Sequence, residues 1–377
     1  MKPSIRYTGQ EHGMIQRTTH RGVHPFESVP RESWYDWRWQ LQHRISTAAQ
    51  LFEYFDIPES DHEEYRQAMD TWRCAITPYY LSLIDRSDDR DPLRCQCVPQ
   101  LEEWTQREVG SDDPLCEERD MPVTNLIHRY HDRCLTMVTD ACAVYCRHCN
   151  RKRRWCDGEP APSRDGFQQM IEYVGRTPEV REVIISGGDP LMLKLDTLEW
   201  FIKSLRVIRH VEIIRIGSRV PVVLPMRITS GLCRMLRKYR PLWFMTQFNH
   251  SNEITDEAAR ACEMLLQAGI PVMNQSVLLK GVNDTAAAMR ELLYGLERIA
   301  VKPYYLFQCE PVRGVEHFRV DVARGVELME QLRGTMSGLC MPNYVYDLPG
   351  GRGKMPLHPC GLYPDAAQEF DNKRQID

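Results

Sequence analysis

The sequence has no long apolar run, no strong excess of either charge and no low-complexity tract. The net charge of −4 over 377 residues gives no reason to expect nucleic acid or an anionic membrane as a partner. No apolar run reaches the roughly 18 residues of a membrane-spanning helix. The N-terminal residues are polar and lack an apolar core, so no secretory signal is expected and a cytoplasmic location is predicted.

What the sequence does contain is fourteen cysteines. An even number would indicate disulfides in a secreted chain. Here most cysteines stand singly within apolar or helical patterns, which favours free thiols in a reducing compartment. The number of cysteines alone neither predicts nor excludes a metal site, because only the spacing of the thiols can indicate one.

Apolar, β-branched runs alternate with helix-like segments from residue 134 onward. The runs predict strands at 135–141, 182–188, 212–219, 243–250, 272–280 and 303–310. The helix-like segments lie near 164–176, 195–208, 227–239, 255–268, 285–299 and 321–335. Such alternation is typical of an α/β fold with a parallel sheet. Six units rather than eight predict a partial (β/α)6 TIM-like barrel, with its site at the carboxyl ends of the strands.

Four regions are expected along the chain. Residues 1–30 form a polar arm, and 31–120 form a helical region and charged connector, with helices at 46–56 and 60–84. The partial barrel covers 121–340. Residues 341–377 form a short C-terminal segment.

Three cysteines form a motif directly after the first predicted strand. Cys142, Cys146 and Cys149 have the spacing C-x3-C-x2-C. Three thiolates so spaced can bind three irons of a [4Fe–4S] cluster and leave the fourth iron open to a small molecule. Zinc with Cys156 or His148 as a fourth ligand is an alternative, and a redox-active C-x2-C pair is another.

A second motif places Lys354 in a glycine-rich loop that begins at Gly350 and precedes Met355. A nucleotide-binding Walker A loop needs G-x4-G-K followed by Ser or Thr, so that function is disfavoured. A lysine on a flexible loop can form a Schiff base with an aldehyde such as pyridoxal phosphate. Taken alone, the loop is more typical of an exposed turn with a solvated lysine.

The cysteine motif, in the loop after the first strand of a partial barrel, resembles the radical SAM superfamily. Ser186, Gly187, Gly188 and Asp189 are similar to its glycine-rich segment near the methionine amino group. The resemblance implies that the open iron binds S-adenosylmethionine, whose cleavage gives a 5′-deoxyadenosyl radical, so that the cofactor carries the chemistry. It also implies an electron donor such as flavodoxin or ferredoxin.

Within that superfamily, residues 30–360 closely resemble the lysine 2,3-aminomutase family. The resemblance rests on long collinear segments at 36–41, 126–153, 216–225, 274–279, 315–319 and 347–354. It implies an isomerase that moves an amino group between C2 and C3 of an α-amino acid. It further implies a [4Fe–4S] cluster, S-adenosylmethionine and pyridoxal 5′-phosphate as cofactors.

The family's functional positions match particular residues of this chain. Lys354 matches the lysine that holds pyridoxal phosphate. Arg129 and Arg133 match its phosphate ligands, a role that suits guanidinium groups. The positions expected around S-adenosylmethionine and the cluster are Tyr130, His148, Ser186, Gly187, Gly188, Asp189 and Gln275, with Cys142, Cys146 and Cys149 as cluster ligands.

The expected substrate ligands are Arg151, Glu310 and Asp347. Arg151 matches the arginine that pairs with the substrate carboxylate, whereas Lys152 and Arg154 are interpreted as a solvated basic run. Asp347 and Glu310 match two acids that receive the substrate's side-chain ammonium, and a pair of desolvated carboxylates selects a small cationic amino acid. The lysine enzyme has aspartate where Glu310 stands, and guanidinium favours bidentate partners, so lysine and arginine both remain candidates, with other cations such as ornithine also open. The other interpretation of Glu310 is an exposed acid at a strand end.

A second departure from the family concerns its structural zinc. The family's structural zinc uses a cysteine where Thr285 stands and further C-terminal cysteines, of which only Cys360 is present, so no structural zinc is expected. A homo-oligomer is expected.

Two alternative functions remain open. One is another radical SAM enzyme on the same scaffold, such as the relative in translation-factor modification, which has an aromatic residue at the position of Asn150. The other alternative is a zinc-stabilised binding module without enzymatic activity.

Overall fold

A computed structural model describes residues 26, 28–157 and 162–358, without the side chains of 156 and 157. Nearly all of the predicted arm, and residues 359–377 with Cys360, lie outside the described residues. Within the described part, no helix is both long and apolar enough to cross a membrane. The twelve cysteines with described side chains are free thiols, as the composition predicted.

Nine strands of the described residues form one sheet, and their spatial order follows their order in the chain. The strands are β1 Leu126–Tyr130, β2 Arg133–Met137, β3 Glu182–Ser186, β4 Ile213–Gly217, β5 Leu242–Thr246, β6 Val272–Leu278, β7 Lys302–Gln308, β8 Asn343–Leu348 and β9 Gly353–His358. β2 to β8 are parallel, and the two edge strands pair antiparallel with their neighbours. Among the described strands β1 does not pair with β9, so the partial barrel is confirmed as an open sheet.

The six predicted strands correspond to β2 to β7, and the sequence pattern missed the strands at both edges. β1 joins β2 through a tight hairpin in which Tyr130 pairs with Arg133. β8 and β9 lie in the C-terminal segment 341–377, for which no strand was predicted. The first predicted strand, 135–141, is shifted, because residues 138–141 leave the ladder. The Val138 N–H donates to the Ser186 carbonyl, and the carbonyls of Thr139 and Ala141 accept hydrogen bonds from the N–H groups of the loop after β3.

Fifteen α-helices lie around this sheet within the described ranges. Seven precede it: α1 Arg31–Tyr35, α2 Trp37–Gln42, α3 Ala48–Phe55, α4 His62–Thr71, α5 Pro78–Leu81, α6 Pro92–Cys97 and α7 Leu101–Thr105. Eight connect its strands: α8 Arg153–Asp157, α9 Arg164–Gly175, α10 Leu195–Arg206, α11 Val220–Val223, α12 Ser230–Arg237, α13 Asp256–Gln267, α14 Ala286–Arg298 and α15 Val322–Arg333. Several begin at a Ser or Thr whose side chain accepts a first-turn N–H, a strong start signal in sequence. Thr285, at the position of the family's zinc cysteine, caps α14 in this way.

The single helix predicted over 60–84 is wrong. α4 ends at Thr71, the chain becomes extended at Trp72, and α5 begins only at Pro78. Proline disfavours a helical residue before it and lacks an N–H, so it suits the first position of a new helix. Thr77 caps that helix by accepting the Tyr80 N–H.

The strands have two distinct faces because side chains alternate along them. In β3, Val183 and Ile185 are fully buried against the outer helices. Ile184 and Ser186 point the other way and line a cavity. The outer face therefore belongs to the apolar core, and the inner face forms a site.

Candidate active site

A cavity of about 620 Å3 lies on the inner face of the sheet, at the carboxyl ends of the parallel strands. It brings together all sixteen residues that the sequence predicted for the site. These residues are Arg129, Tyr130, Arg133, Cys142, Cys146, His148, Cys149, Arg151, Ser186, Gly187, Gly188, Asp189, Gln275, Glu310, Asp347 and Lys354. Cys142, after β2, and Asp347, near the end of β8, lie in one cavity because parallel strands place their carboxyl ends at one edge. Arg129, Tyr130 and Arg133 reach the same cavity from the antiparallel hairpin of β1 and β2.

The cysteine loop follows β2 and is held by the N-terminal helices. The Arg44 guanidinium donates to the Cys142 carbonyl at 2.7 Å, and the Arg147 N–H donates to the Gln96 carbonyl at 2.9 Å. Burial, reinforced by the nearby thiols, raises the pKa of Cys142 and brings that of Cys149 to about 11. Thiolates form here only if positive charge compensates them.

The three thiols fit a [4Fe–4S] cluster. All three line the same cavity, and their mutual repulsion is the kind that iron relieves. Among the described residues no three Cys, His, Asp or Glu side chains converge on one point. In a four-iron cluster each cysteine binds a different iron, so its ligands stand apart rather than converging.

The glycine pair after β3 packs directly against the cysteine loop. A Cβ on Gly188 would lie 2.6 Å from the Ala141 carbonyl oxygen, and one on Gly187 would lie 2.6 Å from that of Thr139. Gly187 also has a φ of +122°, which disfavours other residues. The absence of side chains therefore lets the end of β3 support the loop that carries the cysteines.

The predicted cofactor residue Asp189 has its carboxylate occupied by the end of β4. The Ser218 hydroxyl donates to it at 2.8 Å and the Arg219 N–H at 2.9 Å. Burial raises the Asp189 pKa to about 6 despite these bonds. Asp189 thus joins the ends of β3 and β4, and a direct role toward a cofactor stays a prediction.

Arg219 is a site residue that the sequence interpretation missed. Its guanidinium donates to the Cys146 sulfur at 2.7 Å and to Glu253 at 2.6 Å, and it is almost fully buried. It lies in the segment 216–225, which carried the family resemblance without a role being assigned to this arginine. The guanidinium thus places a buried positive charge beside a predicted cluster ligand.

His148 lies in the cavity as a neutral imidazole. Burial, and then the charge of Arg219, lowers its pKa well below the usual value. The amides of Gln247 and Asn249 lie 3.1 and 3.2 Å from Nε2. Two amide donors make Nε2 the acceptor and assign the proton to Nδ1. Nδ1 is buried without a partner in the described part of the chain, so it can donate to a ligand.

Lys354 lies across the cavity, on the antiparallel hairpin of β8 and β9. It is in register with Asp347, with which it forms an ion pair. The rings of Tyr130 and Phe307 lie 5.8 and 5.4 Å from its ammonium group. Lys354 therefore lines the cavity and has defined contacts there, so it is not a solvated lysine in an exposed turn.

The surroundings of Lys354 fit pyridoxal phosphate. The Arg129 side chain is 11% exposed, and its Nε donates to Asp120 at 2.8 Å. Arg133 stacks over Tyr130 at 4.0 Å, and the Tyr130 hydroxyl is buried without a hydrogen-bond partner in the described residues. An amine, aromatic faces, two guanidinium groups and an unpaired hydroxyl suit an aromatic aldehyde that carries a phosphate.

The two predicted substrate acids face the same space, and Glu310 is not an exposed strand-end acid. Burial, and then the charge of Asp347, raises the Glu310 pKa to about 8, although Asn150 and Lys354 oppose the rise. One carboxylate of the pair is thus kept protonated near neutral pH unless a cation enters. A bound cation would favour the ionised form of Glu310, so that both carboxylates of the pair would carry a negative charge.

Arg151 has a protein partner of its own. Its Nη2 donates to Glu117 at 2.7 Å, and its Nε lies 3.1 Å from both Glu117 oxygens. Glu117 lines the cavity in the connector before β1, where no motif identified it. It is the second residue that the sequence interpretation missed.

The interpretation of Lys152 and Arg154 as solvated is wrong. Lys152 and Arg147 have no exposed surface, and both bind the equally buried Glu103 at 2.6 Å. Lys152 also donates to the Gly314 carbonyl at 2.9 Å, and Arg154 pairs with Asp140 at 2.9 Å. The basic run turns inward because α7 places a carboxylate beneath the cysteine loop.

Comparison with known proteins agrees with this geometry. The sequence model of the Radical SAM superfamily matches residues 136–293. Together with the open parallel sheet and the cysteine loop, the match defines the chain as a radical SAM enzyme.

Individual relatives define the family more closely. The chain is 49% identical over 334 residues to L-lysine 2,3-aminomutase of Clostridium subterminale, covering 89% of this chain and 80% of the relative. The corresponding enzyme of Bacillus subtilis is 45% identical over 334 residues, covering 89% and 71%. Glutamate 2,3-aminomutase of Clostridioides difficile is 42% identical over 331 residues, covering 87% and 78%.

The chain belongs to the lysine 2,3-aminomutase family, which confirms the resemblance. Members of this family are isomerases that use a [4Fe–4S] cluster, S-adenosylmethionine and pyridoxal phosphate.

Proposed function

We propose that the protein is a 2,3-aminomutase of a cationic α-amino acid, with lysine and arginine as the candidate substrates. The observation that carries this proposal is the pair Glu310 and Asp347 in one cavity with Arg151 and Lys354. Two carboxylates in one cavity, one of which (Glu310) has its pKa raised by burial and by the other, favour a bound cation, and Arg151 offers a charge for a carboxylate. An amino acid with charges at both ends is held at both ends, which orients its central carbons.

The proposed roles follow the same geometry. Cys142, Cys146 and Cys149 hold the cluster, and Lys354 holds pyridoxal phosphate. Arg129 and Arg133 bind its phosphate. The groups around S-adenosylmethionine are Tyr130, His148, Ser186, Gly187, Gly188, Asp189 and Gln275. When bound, the cluster and S-adenosylmethionine supply a carbon radical, and pyridoxal phosphate carries the migrating amino group.

Glutamate, the substrate named for one relative, is the second candidate. Its side-chain carboxylate would face Glu310 and Asp347, and like charges at short range are strongly unfavourable. The structure therefore supports a cation over glutamate.

The test is anaerobic incubation of the reconstituted enzyme with lysine, arginine, ornithine and glutamate, followed by mass spectrometric detection of each β-isomer. A β-isomer from lysine or arginine is expected. Turnover of glutamate alone would contradict the proposed pocket. Cleavage of S-adenosylmethionine with no β-isomer from any of the four would favour another radical SAM enzyme on this scaffold.

The cellular setting completes the proposal. We expect a cytoplasmic homo-oligomer that receives its electron from a flavodoxin or ferredoxin. Sedimentation of the reconstituted enzyme tests the oligomer. Activity with each purified reductant in place of dithionite tests the donor.

A further inference from the structure

Residues 113–120, the connector before β1, contact three separate parts of the site. The Pro114 carbonyl accepts a hydrogen bond from the Gly350 N–H at 2.8 Å, in the turn that precedes Lys354. The Leu115 carbonyl and the Asp120 carboxylate both accept from Arg129. The connector thus contacts Arg129 and the turn before Lys354, which are expected to bind pyridoxal phosphate. Its third contact is with Arg151.

That contact uses one edge of the Arg151 guanidinium. Glu117 accepts from Nε and Nη2, at 2.7 to 3.1 Å. Nη1 has no partner among the described residues, although Arg151 lines the cavity. A guanidinium presents five N–H donors in a fixed plane, so a carboxylate on one edge leaves another edge for a second carboxylate.

Glu117 is itself firmly held. It is 3% exposed, and the Arg153 Nη2 donates to its second oxygen at 3.1 Å. If it moved away, two arginines would lose a buried anion, which is strongly unfavourable. Glu117 therefore stays in place when a ligand enters, rather than yielding Arg151 to it.

We propose that Glu117 is a positioning residue that fixes Arg151 so that its free edge receives the substrate α-carboxylate. This inference rests on the proposed function, in which Arg151 binds that carboxylate. Glu117 touches neither substrate nor cofactor in this role. It acts only through the orientation of Arg151.

The test compares an amino acid with the amine that lacks its carboxylate. For Glu117→Gln in the holoenzyme, KM and kcat are measured with L-lysine, or with L-arginine if that is the preferred substrate. Binding of the decarboxylated amine, cadaverine or agmatine, is followed through the visible absorbance of bound pyridoxal phosphate. Glutamine keeps the size of the side chain but removes its charge. Glu118→Gln is the matched control, because Glu118 is 76% exposed and lies 3.8 Å from Arg153.

A rise in KM of about tenfold to a hundredfold is expected for Glu117→Gln, the effect of losing hydrogen bonds between charged groups. Binding of the decarboxylated amine should change less than about twofold, and Glu118→Gln should match wild type. An unchanged KM would overturn the inference. So would a lower KM, which would mean that Glu117 competes with the substrate, or an equal loss of amine binding, which would mean general damage.

Two further variants separate this inference from the proposed function. If Arg151→Gln raises KM and Glu117→Gln does not, the inference fails and the proposed function stands. If Arg151→Gln also leaves KM unchanged, the proposed function fails. Should Glu117→Gln not fold, Glu117→Asp carries the same comparison, because it keeps the charge and withdraws it from Arg151. A smaller rise in KM, confined to the amino acid, is then expected.

Discussion

Replacing Glu103 by glutamine is expected to destabilise the fold by about 3–5 kcal/mol, the usual cost of removing one partner from a buried ion pair. Glu103 has no exposed surface and is the shared acceptor of Arg147 and Lys152. Glutamine fills the same space but leaves two buried cations without an anion. The total stability of a domain is only about 5–15 kcal/mol, so the loss is large.

The lowered pKa of Glu103 supports the same magnitude. The two cations lower the pKa of Glu103 to about 2 from 4.5, against the effect of burial. A shift of that size corresponds to about 3 kcal/mol of preference for the charged form. Because the folded pKa is depressed, the stabilisation is present above about pH 4.5 and is lost as the pH falls toward 2. Burial, together with the charge of Arg147, lowers the pKa of Lys152 to about 8, although Glu103 opposes the shift.

Denaturant-induced unfolding measures the effect, with Glu102→Gln as the matched control because Glu102 is an exposed neighbour on α7. The control should stay within about 0.5 kcal/mol of wild type. Adding Lys152→Met to Glu103→Gln should recover part of the loss, since one stranded cation is removed. A Glu103→Gln protein within about 1 kcal/mol of wild type, or an equally unstable control, would refute the reasoning.

Three other changes test the site. Lys354→Ala should abolish formation of β-amino acid while reductive cleavage of S-adenosylmethionine continues, and wild-type product formation would contradict the assignment. Substrate affinity should rise with pH up to about 8, by at most about tenfold per pH unit, because a cation binds the ionised form of Glu310 and releases its proton; Glu310→Gln should flatten this part of the profile measured by titration. Gly188→Ala should lower the iron content of the purified protein, because its Cβ would lie 2.6 Å from the Ala141 carbonyl. Gly231→Ala is its control, where the nearest atom is 3.8 Å away and a helical alanine is favoured by up to about 1 kcal/mol.

Local patterns predicted the parallel sheet well, because buried strands and amphipathic helices carry their periods in the sequence. The strands at the two edges of the sheet were harder to predict. β1 and β2 are joined by a two-residue connection that lacks the usual glycine or asparagine of such hairpins. The prediction of one helix over 60–84 was wrong because it rested on the apolar period alone. It took no account of Pro78, where a new helix begins.

The site was predicted where motifs are long and missed where partners come from distant segments. The cysteine loop and the lysine loop are contiguous, so their sequences identify them. Lys152 lies 49 residues from Glu103, and only the fold shows that a lysine in a basic run is buried. Glu117 shows no motif at all, because its role depends on an arginine 34 residues away.

The order of strands in the sheet has a consequence for how the protein is made. Each strand pairs with the one just before it in the chain, so the sheet can grow strand by strand as the chain leaves the ribosome. The hairpin of β8 and β9 is the last part of this sheet to be synthesised. Its turn then meets the connector through Gly350 and Pro114, 236 residues apart, at 2.8 Å. In such an assembly Lys354 would join the cavity after the other strands, and pyridoxal phosphate would meet the complete cavity only then.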